Sequence, residues 1–205
     1  MNFMSFYSQS AKYLIQNPDS DYAVCSFELS SLNEVSEWHG PITGNKLVKY
    51  FADSLKAVLP NAHYMTRDGH SIFHVFASVN NQNQFLHSIN ELFKNKKLYL
   101  EDEILSFSFS GGICFFHGSE EPEFSYFVER SDIARKNVAE KQHAFLVYDD
   151  NMEKRVVWEQ KIASTMTEAL ENKEFKVYMQ PKYRISDEMI IGSEALVRWI
   201  SPKFG

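Results

Sequence analysis

Asp68-Gly69 divides two strand-like runs, 64–67 and 71–79, and no other short stretch constrains the fold as much. Glycine takes the positive φ of a tight hairpin turn at no steric cost, and an Asp before it favours the same turn. Around this hairpin the sequence switches between the periods of strand and helix. Phe3–Gln16 reads as a helix ended by Asn17-Pro18. Residues 22–29 read as an apolar strand, and 28–38 as a strand end running into a short helix that Gly40-Pro41 breaks. Thr43 is placed to cap a long helix to Leu59, with Leu47, Tyr50, Phe51, Leu55 and Val58 on one stripe. Residues 85–95 form another amphipathic helix, 104–116 a long strand rich in Phe and Ser, 124–141 a helix and 145–148 a last short strand. After the opening helix the order is β-α-α-β-β-α-β-α-β, an α/β pattern.

Composition narrows the function classes. With 205 residues, one domain and a piece of a second are expected. A net charge of −6 argues against a nucleic-acid surface, which needs clustered Lys and Arg. Cys25 and Cys114 lie in apolar strand-like runs without metal spacing and read as buried core thiols. No signal peptide and no run long enough to span a bilayer is present, so the region reads as cytoplasmic without membrane contact, leaving open an anchor upstream. His39, His63, His70 and His74 lack zinc spacing and read as scattered surface residues. Glu101, Asp102 and Glu103 read as a solvated charge run, and Trp38, Trp158 and Trp199 as packing residues.

The C-terminal stretch carries more specific chemistry. Phe175, Val177 and Met179 alternate with Lys176 and Tyr178, Ser186-Asp187 marks a turn, and 190–200 reads as a second strand. Glu194 and Arg198 are its polar interruptions, and residues four apart in a strand share a face. A carboxylate that holds a hard cation beside a guanidinium that clamps a phosphate oxygen suits a phosphodiester. A structural ion pair is the alternative reading of that spacing alone. Phe175 with Gln180-Pro181, then Gly192-Ser193-Glu194-Ala195-Leu196-Val197-Arg198-Trp199, resembles the opening of the EAL family of cyclic di-GMP phosphodiesterases. The resemblance implies that Glu194 is a metal ligand and that Gln180, Leu196 and Arg198 contact the dinucleotide. The family's other ligands and its catalytic base lie further downstream. A barrel of the TIM type needs about 250 residues, so residues 174–205 hold only its first two strands and cannot hydrolyse by that mechanism. The chain reads as a piece of a longer protein.

The remainder is similar, more weakly, to the GGDEF family of diguanylate cyclases, often fused to EAL domains. The anchors are Arg67-Asp68-Gly69-His70-Ser71-Ile72-Phe73 against R-x-G-G-D-E-F, Gly40 to Leu47 against G-H-x-x-G-D-x-L, Ser110-Gly111-Gly112-Ile113 against S-x-G-I, and Val147-Tyr148-Asp149. This resemblance implies a nucleotidyl-cyclase-like, mostly antiparallel five-stranded sheet with flanking helices. It also implies an inactive site. The motif is reduced to Gly69, His70, Ser71, Ile72 and Phe73, and Ile72 cannot ligate a cation. His70 stands where a second glycine would let a phosphate approach the backbone. The first-strand aspartate maps to Glu28, the guanine-reading asparagine to Ser36, and the aspartate after the second glycine to Asn45. The inhibitory R-x-x-D would fall at residues 60–63 and is absent.

The expected organisation is a degenerate GGDEF domain over 1–150, a linker helix over 151–173 and an EAL fragment over 174–205. Met152, Val156, Ala163, Met166 and Leu170 mark one apolar stripe on that linker. Two function classes follow. One is the silent regulatory domain of a phosphodiesterase that uses Mg2+ or Mn2+ in its complete EAL domain, this fragment holding no cofactor itself. The other is a non-enzymatic sensor or interaction module with both domains degenerate. Expected partners are the rest of the EAL domain, cyclic di-GMP as the parent's substrate, and a second copy through the linker helix or tail.

Overall fold

The computed structural model describes residues 2–94, 96–100, 104–120, 123–138 and 145–204. Helix α1 (Phe3–Gln16) has the limits its sequence predicts, and the Asn2 side chain caps it by accepting from the Ser5 N–H at 2.8 Å. Strand β1 (Asp21–Glu28) leads into α2 (Leu32–His39) and α3 (Pro41–Val58). These two helices meet at Gly40, at φ 85°, with Pro41 opening α3. Thr43 therefore lies inside α3 rather than capping it, its hydroxyl donating to the His39 carbonyl at 2.9 Å.

The hairpin forms as expected. Strands β2 (Ala62–Asp68) and β3 (Ile72–Ser78) flank Gly69 at φ 60°, and Arg67 Nε donates to the His70 carbonyl at 2.9 Å across the turn. Helix α4 (Gln82–Lys94) follows. The single strand expected over 104–116 is two. Strand β5 (Ile104–Ser106) pairs with β4 (Lys97–Tyr99) in a ribbon of their own, and β6 (Ser110–His117) joins the main sheet. Apolar alternation continues through buried Leu105, Phe107 and Phe109, but the backbone between them bonds elsewhere. Phe107 N–H donates to the Lys96 carbonyl, and Ser108 N–H to Ser31 Oγ. Helix α5 (Phe124–Lys136) ends earlier than expected, and the expected residues 139–141 lie outside the described residues, as does the 101–103 charge run. Strand β7 (Phe145–Val147) closes the sheet.

The five-stranded sheet runs β2-β3-β1-β6-β7, antiparallel except for the β6–β7 pair. Strand alternation sends Ala23, Cys25, Phe27, Phe73 and Val75 into one core with Leu47, Phe51 and Leu55 of α3. It sends Tyr22, Val24, Phe76, Cys114 and Phe116 into a second, with Phe6 of α1 and Phe124, Phe127 and Val128 of α5. Cys25 and Cys114 are both buried, and burial pushes the Cys114 thiol up to about 12 and Cys25 higher still. Trp38 departs from its expected packing role and stands largely exposed.

The chain forms two compact units, Met1–Glu153 and Lys154–Gly205. Helix α6 (Asp150–Glu171) runs from the first into the second. Within the second unit, β8 (Phe175–Tyr183) and β9 (Ile190–Trp199) form an antiparallel hairpin. Trp199 stacks on Phe175 at 5.3 Å and donates from Nε1 to Glu174 at 2.8 Å, while Phe204 lies between Trp158 and Trp199. Of the expected stripe on α6, Met152 is buried, whereas Met166 and Leu170 are exposed and Ala169 is the buried position beyond Glu153. Two apolar faces share this helix, and periodicity alone does not choose between them. No helix among the described residues is long and apolar enough to cross a membrane.

Candidate functional site

The end of β1 brings the sequence-selected residues of the first unit together. In register, Glu28 lies opposite Ile72 on one side and Ser110 on the other. Directly opposed residues share a face of the sheet, so Ile72 stands beside Glu28, the carboxylate that the sequence resemblance singled out. Ser71 is held by its carbonyl, which accepts from Leu29 N–H at 2.9 Å. Ser36 turns its hydroxyl to the Leu32 carbonyl at 2.7 Å and lies under Gly44, where a Cβ would come within 2.2 Å of its Oγ. It packs α2 against α3. Asn45 is exposed.

Four residues that no motif pointed to complete the arrangement. Arg135 of α5 is 95% buried and forms an ion pair with Glu28. Its Nε donates to Ser26 Oγ at 3.0 Å, and its Nη2 lies 3.4 Å from Asp132 Oδ1. Ser26 in turn donates to Asp132 at 2.5 Å. Beside Ser26 on the same face, in register, sits His74. The guanidinium thus holds two carboxylates and a hydroxyl, a geometry suited to its planar fork. It leaves Glu28 committed to a cation of the protein's own. Among the described residues, no group of three or more His, Cys, Asp or Glu side chains is placed to hold a metal ion.

His74 corrects the expectation of surface histidines. It is buried beneath Phe3 and Phe6 of α1, and its Nδ1 has no hydrogen-bond partner among the described residues. Burial pushes its pKa below the ordinary imidazole value, against the opposing pull of Asp132 and Asp68 and with a further push from Arg135. His63, half-buried against Tyr13, is lowered by burial as well. A histidine kept neutral in the fold contributes stability that is complete above its unfolded value of about 6.5 and lost as pH falls below it. Urea midpoints should therefore drop from pH 7.5 to pH 5, and more steeply in the wild type than in His74→Leu. Equal slopes in the two proteins would remove His74 from this account.

In the second unit, cross-strand pairing sets Gln180 opposite Glu194, Tyr178 opposite Leu196, and Lys176 opposite Arg198. All four residues that the EAL resemblance singled out lie on one face of the hairpin. Lys182 Nζ is 3.4 Å from Glu194, but both side chains are more than half exposed, so this pair is worth little and yields readily.

No family profile matches the sequence, and no curated protein matches it. Solved structures do share the fold. The GGDEF domain of TpbB (YfiN) from Pseudomonas aeruginosa superposes with a TM-score of 0.65 at 16% identity, covering 76% of this chain and 94% of that one. The active GGEEF domain of a diguanylate cyclase from Vibrio cholerae gives 0.62 at 14%, covering 73% and 97%. An EAL/GGDEF domain protein from M. capsulatus gives 0.57 at 10%, covering 73% and 99%. The fold of the first unit is that of the GGDEF, cyclase-like domains.

Proposed function

We propose that the first unit is a catalytically silent GGDEF domain of a cyclic di-GMP signalling protein, and that the hairpin is the opening of an EAL phosphodiesterase domain in the same polypeptide. The observation that carries this reading is the state of Glu28. Cyclase chemistry brings two triphosphates together and needs carboxylates to hold divalent ions against them. Here Ile72 and Ser71 stand in the hairpin where acids are needed, and the remaining carboxylate is held by buried Arg135. Drawing Glu28 away to a metal ion would leave the buried Arg135 guanidinium short of a partner, so a metal ion does not displace it cheaply.

The same reasoning has the opposite outcome at the hairpin. Glu194 faces only an exposed lysine, so it stays free to ligate Mg2+ or Mn2+ once the rest of a barrel surrounds it. Gln180, Leu196 and Arg198 share its face and would meet the dinucleotide there. The solved EAL/GGDEF protein with this fold carries the same domain pair in its name, which supports the pairing. The first unit is then a cytoplasmic regulatory element, and the substrate, cyclic di-GMP, belongs to the second domain.

Incubating the 205-residue chain with GTP and Mg2+ or Mn2+ should yield no cyclic di-GMP above a buffer control, beside an active GGEEF domain run in parallel. Product above that control overturns the silent reading.

A further inference from the structure

We infer that Lys176 and Arg198 form one two-cation seat for a phosphate group, which adds Lys176 to the residues of the proposed EAL site; its assignment to the cyclic dinucleotide rests on that reading. The pair breaks a rule of strand pairing. Lys176 and Arg198 are directly opposed in the β8–β9 register. Opposed side chains share a face with Cβ atoms about 5 Å apart, and like charges placed so repel. Both residues are exposed. Among the described residues neither meets a carboxylate, and the Arg198 guanidinium turns back to donate to the Val197 carbonyl at 3.0 Å. Glu194, the carboxylate of this face, is paired with Lys182 further along. Three cations thus stand against one acid on a single face, although the chain as a whole carries −6.

The two cations complement each other on a phosphate. A guanidinium offers a planar fork to two phosphate oxygens, and an ammonium is a point charge on a flexible stem that suits a third. One comes from each strand, so an anion held between them ties β8 to β9 and removes the repulsion that the free hairpin carries. The opposite face is apolar there, with Phe175, Val177 and Met179 across from Trp199, Val197 and Ala195. The seat also stands in register with the rest of the site. Tyr178 and Leu196 form the next rung, and Gln180 and Glu194 the one after. A ligand whose phosphate sits on Lys176 and Arg198 therefore lays its remainder along Leu196 toward the carboxylate. A neutral ligand or a cation gains nothing from the pair. The seat is open to water, so phosphate binding to this chain alone is weak, with a Kd on the order of 5 mM.

Nuclear magnetic resonance titration of the 205-residue chain at constant ionic strength tests this, with cyclic di-GMP, inorganic pyrophosphate and guanosine as probes. Both anions should shift the resonances of Lys176 and Arg198, and guanosine should leave them in place. Lys176→Met should weaken anion binding at least threefold, and Lys176→Arg should keep it within twofold. Lys176→Glu separates a ligand contact from a structural role. It gives Arg198 a cross-strand partner, so amide exchange in β8 and β9 should slow while anion binding falls at least tenfold. Silence of both residues toward both anions at 20 mM overturns the inference. So does Lys176→Met binding like the wild type while Arg198→Met does not, which leaves a lone guanidinium and the EAL reading intact. Pyrophosphate and cyclic di-GMP binding equally well, with Gln180 and Leu196 unmoved by the dinucleotide, keeps the seat and removes the EAL reading instead.

Discussion

Gly112→Ala is expected to cost the first unit about 3 kcal/mol, a large fraction of the stability of a domain. Gly112 sits in β6 directly beneath α5. A Cβ built there would lie 2.0 Å from the Ser131 carbonyl oxygen, 2.2 Å from Arg135 N and 2.9 Å from Arg135 Cα. All three are backbone atoms of one helix, so no side chain can rotate away. The helix has to lift, and with it Phe127 and Val128 leave the core they fill beside Phe116. The neighbouring glycine provides the control. A Cβ on Gly111 meets the Phe27 ring at 2.9 Å and Phe145 Cβ at 3.1 Å, contacts with side chains that can shift. Gly111→Ala should cost about 1–2 kcal/mol. Urea unfolding of the three proteins checks this, since distinct midpoints with a shared slope report stability alone. If Gly112→Ala lies within about 1 kcal/mol of the wild type, α5 is not seated on β6 as described.

Gly112 also shows what the sequence makes legible. The stretch Ser110-Gly111-Gly112-Ile113 was readable as an anchor because it is local, and so was the Asp68-Gly69 turn, whose chemistry needs only two adjacent residues. Helix α1 and the strands of both hairpins were readable from periodicity over seven to fourteen residues. The β4–β5 ribbon was not, because three-residue strands carry no period and the Phe-rich run hides the exit of its backbone from the sheet. On α6 the expected stripe is buried at Met152 but not at Met166 or Leu170, where Ala169 is buried instead, and periodicity does not show where the packed face changes. The face shared by Glu194 and Arg198 needed only strand alternation, so it was legible; Gln180 joins it through the β8–β9 register, which is seen only in the structure. The cluster of Ser26, Glu28, His74, Asp132 and Arg135 was not. Its members come from β1, β3 and α5, and each looks ordinary where it stands in the chain. The single clue was the missing acidic pair, which left Glu28 without the company its role would require. What took that place is visible only in three dimensions.

Arg135→Met should destabilise the first unit by about 2–3 kcal/mol at pH 7, and the loss should come from the charges it leaves behind. Methionine keeps most of the volume and all of the apolar stem, so the packing of α5 changes little. The guanidinium is gone, and Glu28 and Asp132 both lose the cation they share. Breaking a fully buried ion pair costs about 3–5 kcal/mol. The expectation here is lower because the two carboxylates, at 38% and 28% exposed, recover part of their hydration. A double-mutant cycle separates charge from shape. Glu28→Gln alone should cost about 1 kcal/mol, and in the Arg135→Met background it should cost less than nothing, because it removes a carboxylate that no longer has a partner. The coupling energy from urea unfolding should reach about 1–2 kcal/mol. A coupling near zero would mean that Arg135 serves the fold through its stem alone. The silent reading of the site would then lose its main support, since a carboxylate that does not feel the guanidinium remains free for a metal ion.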